Sequence, residues 1–128
     1  MKGKVSVVQR LNWKPLGYPM HFCCSERCTF RLATLIEQKI VVSTIGEFRP
    51  GMFEGKMEME SLGGYLREDD KTYYETYVFR VESFAKDGVP NIGKQLDGTR
   101  CRTADEAYAL HTEMCEKFQL ELNMGMHR

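Results

Sequence analysis

Lys39-Ile40-Val41-Val42-Ser43-Thr44-Ile45 is the stretch on which the fold turns. It is β-branched almost throughout. Such side chains are stiff at χ1 and pack well on a pleated surface, so the run predicts a strand. Residues 30–36, just before it, fit a helix face through Leu32, Leu35 and Ile36, and a strand face through Phe30, Leu32 and Thr34. The neighbouring strand decides between them. Glu37-Gln38-Lys39 becomes a short polar turn, and 30–36 pairs with 40–45 as a β-hairpin.

Outward from the hairpin, residues 72–82 read as the clearest further strand. Tyr73, Glu75, Tyr77, Phe79 and Val81 alternate with Tyr74, Thr76, Val78 and Arg80, and the odd-numbered face is the expected core face, with Glu75 its exception. Lys86-Asp87-Gly88-Val89-Pro90-Asn91 is turn chemistry, and 95–102 suits a short last strand. Thr103-Ala104-Asp105-Glu106 is a capping box that opens a helix over 103–122. Ala107, Leu110, His111, Met114 and Phe118 recur on it at helical spacing, flanked by Cys115 and Leu122, and Gly125 marks the exit. Residues 1–29 read as an irregular N-terminal arm. Within it 5–9 form a short apolar strand or arm, and 12–20 form a loop set by Pro15, Gly17 and Pro19. Residues 46–72 read as a long loop carrying Pro50 and four further glycines, with a short strand at 56–60.

The chain of 128 residues suits a single domain with one core. The expected fold class is α+β: an antiparallel sheet of four or five strands with the C-terminal helix packed on one face. Lys+Arg and Asp+Glu both number 18, and a zero net charge argues against a protein that coats nucleic acid through phosphate contacts. It also weakens repulsion between copies, which favours a homo-oligomer. No apolar run approaches the roughly 18 residues that span a bilayer, so no membrane partner and a cytoplasmic location are expected. Five cysteines, an odd number, read as thiols in a reducing compartment.

Four pieces in order resemble a group of small uncharacterised bacteriophage and prophage accessory proteins. They are Val41-Val42-Ser43-Thr44-Ile45-Gly46, Tyr74-Glu75-Thr76-Tyr77-Val78-Phe79, Arg100-Cys101-Arg102-Thr103, and the helix from Asp105-Glu106-Ala107 through His111, Met114 and Cys115. The resemblance covers roughly residues 30–120. It departs from the usual pattern at Tyr77, where the group carries Met, and at Leu110, where it carries Gly. The resemblance implies a phage origin and a bacterial cytoplasm as the place of action. It supplies no catalytic residue.

Weighing the chemistry yields little that is catalytic. His21, Cys23, Cys24 and Cys28 are the metal-like cluster, yet structural zinc wants two close pairs of ligands and a second pair is missing, so no metal and no cofactor are expected. His111 and Cys115 lie one turn apart and could form a nucleophile–base pair, but both sit on or beside the apolar stripe and no orienting group is evident, so a packed histidine with a backbone partner is the plainer reading. Gly46, Gly51, Gly55, Gly63 and Gly64 lack phosphate-loop spacing and read as loop punctuation. The aromatics Tyr73, Tyr74, Tyr77, Phe79 and Phe84 beside Arg80 could stack bases, against the plainer reading of strand alternation. Phe48, Arg49, Met52, Phe53, Tyr65 and Arg67 have the composition of an interface, and they are the candidate partner-binding residues. The expected function is therefore non-enzymatic: an accessory protein that binds a host protein, for example as inhibitor of a bacterial immune nuclease. The alternatives are a sponge for a small nucleotide signal and a minor structural or packaging component.

Overall fold

The structure, a computed structural model, describes residues 12–20, 28–48, 67–68 and 71–127, with the backbone alone at 67–68 and 71–72. The strands are β1 (Trp13–Pro15), β2 (Cys28–Ile36), β3 (Ile40–Phe48), β4 (Arg67–Glu68), β5 (Lys71–Thr72), β6 (Tyr74–Phe84) and β7 (Pro90–Cys101), and the helix is α1 (Ala104–Asn123). A five-stranded antiparallel sheet runs β1-β2-β3-β6-β7, and β4 pairs with β5 in a separate two-stranded ribbon. With α1 packed against the sheet, the chain is the expected α+β fold.

The hairpin β2–β3 pairs Ile36 with Ile40 and Thr34 with Val42. Its turn places Glu37 (φ 47°) and Gln38 (φ 61°) in the left-handed region, and Lys39 N–H donates to the Ile36 carbonyl at 2.9 Å. Glu37 and Gln38 are the two central residues of the β-turn that this bond closes within the three-residue connection 37–39. A left-handed conformation at both follows the right-handed strand twist, and residues other than Gly, Asn or Asp adopt it under strain. The strain is met by contacts: Glu37 N–H donates to the Asn12 carbonyl, and the Glu37 carboxylate accepts from the Gln119 amide.

Strand β3 runs three residues past the expected end at Ile45, because Gly46 lies inside it and does not punctuate a loop. The Tyr74 ring on β6 lies flat against Gly46, where an added Cβ would come within 2.1 Å of Tyr74 Cδ2. From there the Tyr74 hydroxyl donates to Glu47 Oε2 at 2.8 Å, and Thr29 Oγ1 donates to Glu47 Oε1 at 2.8 Å. Burial first, then the Glu47 carboxylate, push the Tyr74 phenol up to about 12.

Residues 12–20 hold a strand where a loop was expected. Pro15 is compatible with it because β1 is an edge strand, paired only with β2, so one side of its backbone has no ladder bond to lose. At the other edge β7 begins at Pro90, earlier than expected, and its pairing with β6 shifts register between Val78 and Phe79, Phe79 and Val81, and Val81 and Ser83. Such irregularities twist an edge away from further pairing.

Alternation puts Phe30, Leu32, Thr34, Ile36, Ile40, Val42, Thr44, Tyr74, Thr76 and Val78 on the face that meets α1. This is the even-numbered face of β6, where the odd one was expected. The odd-numbered positions are buried too: Ala33, Leu35, Val41, Ser43, Ile45, Glu75 and Phe79. Residues 16–20 are fastened to β2 and β3 by Leu16 N–H to the Ala33 carbonyl and Met20 N–H to Ser43 Oγ, both 2.9 Å. Central strand β3 is thus enclosed on both faces, which suits its unbroken β-branched run.

The helix forms as its sequence dictates. Thr103 accepts from Glu106 N–H, and the Glu106 carboxylate accepts from Thr103 N–H, completing the capping box. At the far end Gly125 (φ 86°) allows Met126 N–H to reach the Glu121 carbonyl and Gly125 N–H the Leu122 carbonyl, a Schellman motif. The buried positions are Ala107, His111, Cys115, Phe118 and Gln119. Leu110 and Met114, expected at the centre of the stripe, are only partly buried. The helix is rotated toward His111 because the sheet offers it a polar landing, described below. Replacing the buried Phe118 by Ala should cost about 3–5 kcal/mol, and Leu110→Ala about half as much, read by urea denaturation. Equal losses would return Leu110 to the centre of the buried stripe.

Candidate functional site

Two constellations stand out among the described residues. The first lies between sheet and helix. Apolar clusters flank it: Phe30, Tyr74 and Ala107 toward the helix start, and Ile36, Ile40, Val42, Val78, Cys115 and Phe118 toward its end. Between them His111 Nδ1 sits 2.7 Å from Thr44 Oγ1, His111 Nε2 sits 3.0 Å from Thr34 Oγ1, and Thr44 Oγ1 sits 2.8 Å from Thr76 Oγ1. Three adjacent strands thus each give one threonine to this network. A neutral imidazole has one donor and one acceptor, and hydroxyls can play either part, so the whole row is satisfied in either tautomer. Burial pushes the imidazole down from 6.5 to about 4. The partners are threonine hydroxyls, where a backbone partner was expected. Both ring nitrogens point at threonines, and Cys115 packs in the apolar cluster, so these two residues are arranged to dock a helix.

The second constellation lies at the end of the sheet where β6 begins and β7 ends. Tyr73, Glu75 and Tyr77 alternate on the face away from α1, opposite Gly98, Arg100 and Arg102 of the β7 side. Glu75 is fully buried, and its Oε2 accepts from the Tyr77 hydroxyl at 2.9 Å and from Arg100 Nε at 3.3 Å. Tyr77 closes over Gly98, where an added Cβ would sit 3.0 Å from Tyr77 Cδ1. The Arg100 side chain is 51% exposed, and its guanidinium carbon lies 5.0 Å from the Tyr73 ring centre, with that of Arg102 at 5.5 Å. Tyr73, Arg100, Cys101 and Arg102 line a cleft of about 160 Å³. The Cys101 thiol is pushed up by burial and then by Glu106. A buried carboxylate that fixes one arginine beside a second, with an aromatic ring beneath both, is a geometry for recognising anions or planar groups.

A larger depression of about 530 Å³ opens beside Asn12, Trp13, Lys14, Pro15, Glu37 and Gln38. Two of its polar side chains, those of Trp13 and Glu37, serve structure. Trp13 Nε1 donates to Gln119 Oε1 at 2.8 Å, and the Gln119 amide donates to Glu37 and Asn123, which ties β1 and the hairpin turn to the helix end.

Of the six residues marked as an interface, Phe48 closes β3 and is buried opposite Cys28, and Arg67 pairs with Thr72 in the β4–β5 ribbon. Arg49, Met52, Phe53 and Tyr65 lie outside the described residues, as do His21, Cys23, Cys24 and the strand expected at 56–60. The ribbon leads straight into Tyr73 at the arginine cleft. Sequence reading missed Arg100 and Arg102. Their signal was present as two arginines spaced by two at the end of the expected strand 95–102, with tyrosines at 73, 74 and 77 in the other expected strand. Among the described residues no three His, Cys, Asp or Glu side chains gather as a metal site, and Cys28, Cys101 and Cys115 carry no disulfide. No helix among them is long and apolar enough to cross a membrane. Comparison with known protein families, characterised proteins and solved structures finds no match to the chain.

His111 makes stability depend on pH. The unfolded chain takes up its proton near 6.5 and the folded chain only near 4, so between those values the unfolded state binds more protons. Stability should therefore fall as pH drops through that window. Denaturation at about pH 7 and about pH 4.5 should show the wild type losing roughly 2–3 kcal/mol more than His111→Gln, with carboxylate effects common to both. Parallel losses would show that the ring is solvated when folded.

Proposed function

We propose that the protein is a phage accessory protein that acts in the bacterial cytoplasm by binding a host molecule, with no chemistry of its own. Its contact surface runs from residues 48–67 to the Tyr73 cleft. The observation that carries this reading is the pair of guanidinium groups held against the Tyr73 ring at the sheet end that the β4–β5 ribbon enters. Arginine and tyrosine are common anchors of recognition surfaces, because they combine large contact area with directed hydrogen bonds. Two of the four pieces that resemble phage proteins, Tyr74-Glu75-Thr76-Tyr77-Val78-Phe79 and Arg100-Cys101-Arg102-Thr103, meet at this cleft. In this reading the partner is a host protein, and an immune nuclease is one such target. The cleft favours the second reading, capture of a small nucleotide signal, through the same residues.

Capture from bacterial lysate beside native mass spectrometry tests the reading. Arg49→Ala/Phe53→Ala and Arg102→Ala should each weaken retention of the partner by about tenfold or more while leaving the melting temperature nearly unchanged. Retention unchanged in both variants, or neither a protein nor a ligand retained by the wild type, would remove this surface from the account.

A further inference from the structure

We infer that Asp87, in the turn between β6 and β7, is a site of spontaneous backbone modification, where Asp87-Gly88 closes to a cyclic imide and reopens as isoaspartate. The chemistry is internal to the peptide. The Gly88 nitrogen gives up its proton and bonds to Asp87 Cγ, and a carboxyl oxygen leaves as water. Water then adds to a carbonyl of the ring. Where it adds at the main-chain carbonyl, that carbon parts from the Gly88 nitrogen and becomes a free carboxylate, and the chain afterwards runs through Cβ and Cγ. One water is lost and one gained, so no other reactant is needed. Glycine on the C-terminal side permits the closure, since it carries no side chain to stand in the way.

The chain contains two such steps, Asp87-Gly88 and Asp97-Gly98, and the structure separates them. Asp87 lies beyond the last ladder pair, Phe84 with Pro90, and residues 85–88 are all exposed. Gly88 (φ 89°) has nothing within 4 Å of the place where a Cβ would stand. Its N–H donates to the Ala85 carbonyl at 2.9 Å, and Val89 N–H donates to Asp87 Oδ1 at 3.1 Å, which bends the carboxyl back across Gly88. The bonds that must open for closure are those of an exposed turn, the class that opens at least cost. Asp97 is held against the same reaction. It pairs with Val78, and Gly98 pairs with Tyr77, inside the β6–β7 ladder, and the Tyr77 ring covers Gly98. Lys117 Nζ donates to Asp97 Oδ2 at 2.7 Å, and this bond chiefly holds the carboxyl below the ordinary carboxylate range. An ionised carboxylate gives up oxygen poorly, so the ion pair keeps Asp97 in its less reactive form. Gly98 N–H donates to Asp97 Oδ1 at 2.8 Å, which brings the nitrogen near the carboxyl but aims its hydrogen at oxygen, not its electrons at Cγ.

Trypsin separates the two steps: Asp87 falls in the peptide that ends at Lys94, and Asp97 in Gln95–Arg100. The full chain, kept folded in neutral buffer made with ¹⁸O water and then digested, should take ¹⁸O into the first peptide and yield an isoaspartyl isomer with a shifted retention time. Labelling of the second peptide should be about tenfold slower or more. In urea the two peptides should label at similar rates. Asp87→Glu, which would have to close a larger ring, should abolish the label in the first peptide and leave the melting temperature unchanged. The inference is overturned if Asp97 labels as fast as Asp87 in the folded chain, or if the label persists in Asp87→Glu. It is also overturned if neither peptide labels over a period in which the urea-unfolded chain labels both.

Discussion

Everything in this fold that touches the helix depends on one polar row inside an apolar interface: His111 bridging Thr34 and Thr44, with Thr76 completing the row. Apolar contact alone sets no unique rotation of a helix on a sheet, because leucine, methionine and phenylalanine can exchange places at small cost. A buried imidazole is different. Away from its hydroxyl partners it would be left unsatisfied in a dry site, a penalty of about 1–3 kcal/mol. The row therefore selects one rotation and one height of α1 on the sheet. Cys115 and Phe118 then fall on Ile36, Ile40, Val42 and Val78, and Ala107 falls on Phe30 and Tyr74.

That rotation also places the helix start. Thr103 follows β7 directly after Arg102, so the capped first turn and the end of β7 form one rigid corner. On the helix face of this corner Tyr74 lies on Gly46 and reaches Glu47. On the other face the Tyr73 ring lies against the Arg100 and Arg102 guanidinium groups, and Arg100 also reaches the buried Glu75. Tyr74, which opens β6, and Tyr73, just before it, thus serve the core and the cleft. In the cleft, Arg100 leans on Glu75, a carboxylate that the sheet encloses completely.

Much of the architecture is legible in the sequence, and the gaps have physical causes. The β-branched run at 40–45, the alternation over 72–82 and the Thr103–Glu106 capping box signal their elements locally, and the structure shows a hairpin, a strand and a capped helix there. The helix rotation was hidden because His111 earns its place only through threonines 35 to 77 residues away in the chain. Gly46 looked like loop because nothing local announces that Tyr74 will lie across it. Strand β1 was obscured by Pro15, whose missing N–H matters only if the strand is not at an edge. Arg100 and Arg102 form a site only when β7 is laid beside β6, a pairing set by registers that no short motif encodes.

The dependence on His111 is open to direct measurement by ¹⁵N-resolved NMR of the imidazole across pH. A buried, doubly hydrogen-bonded ring stays neutral from about pH 8 to about pH 5, with a slowly exchanging ring N–H. Its titration midpoint should lie at about 4 in the folded protein. A midpoint near the ordinary 6.5, with tautomers in fast exchange, would mean that the ring faces water, and that the helix is seated on the sheet by something other than its threonines.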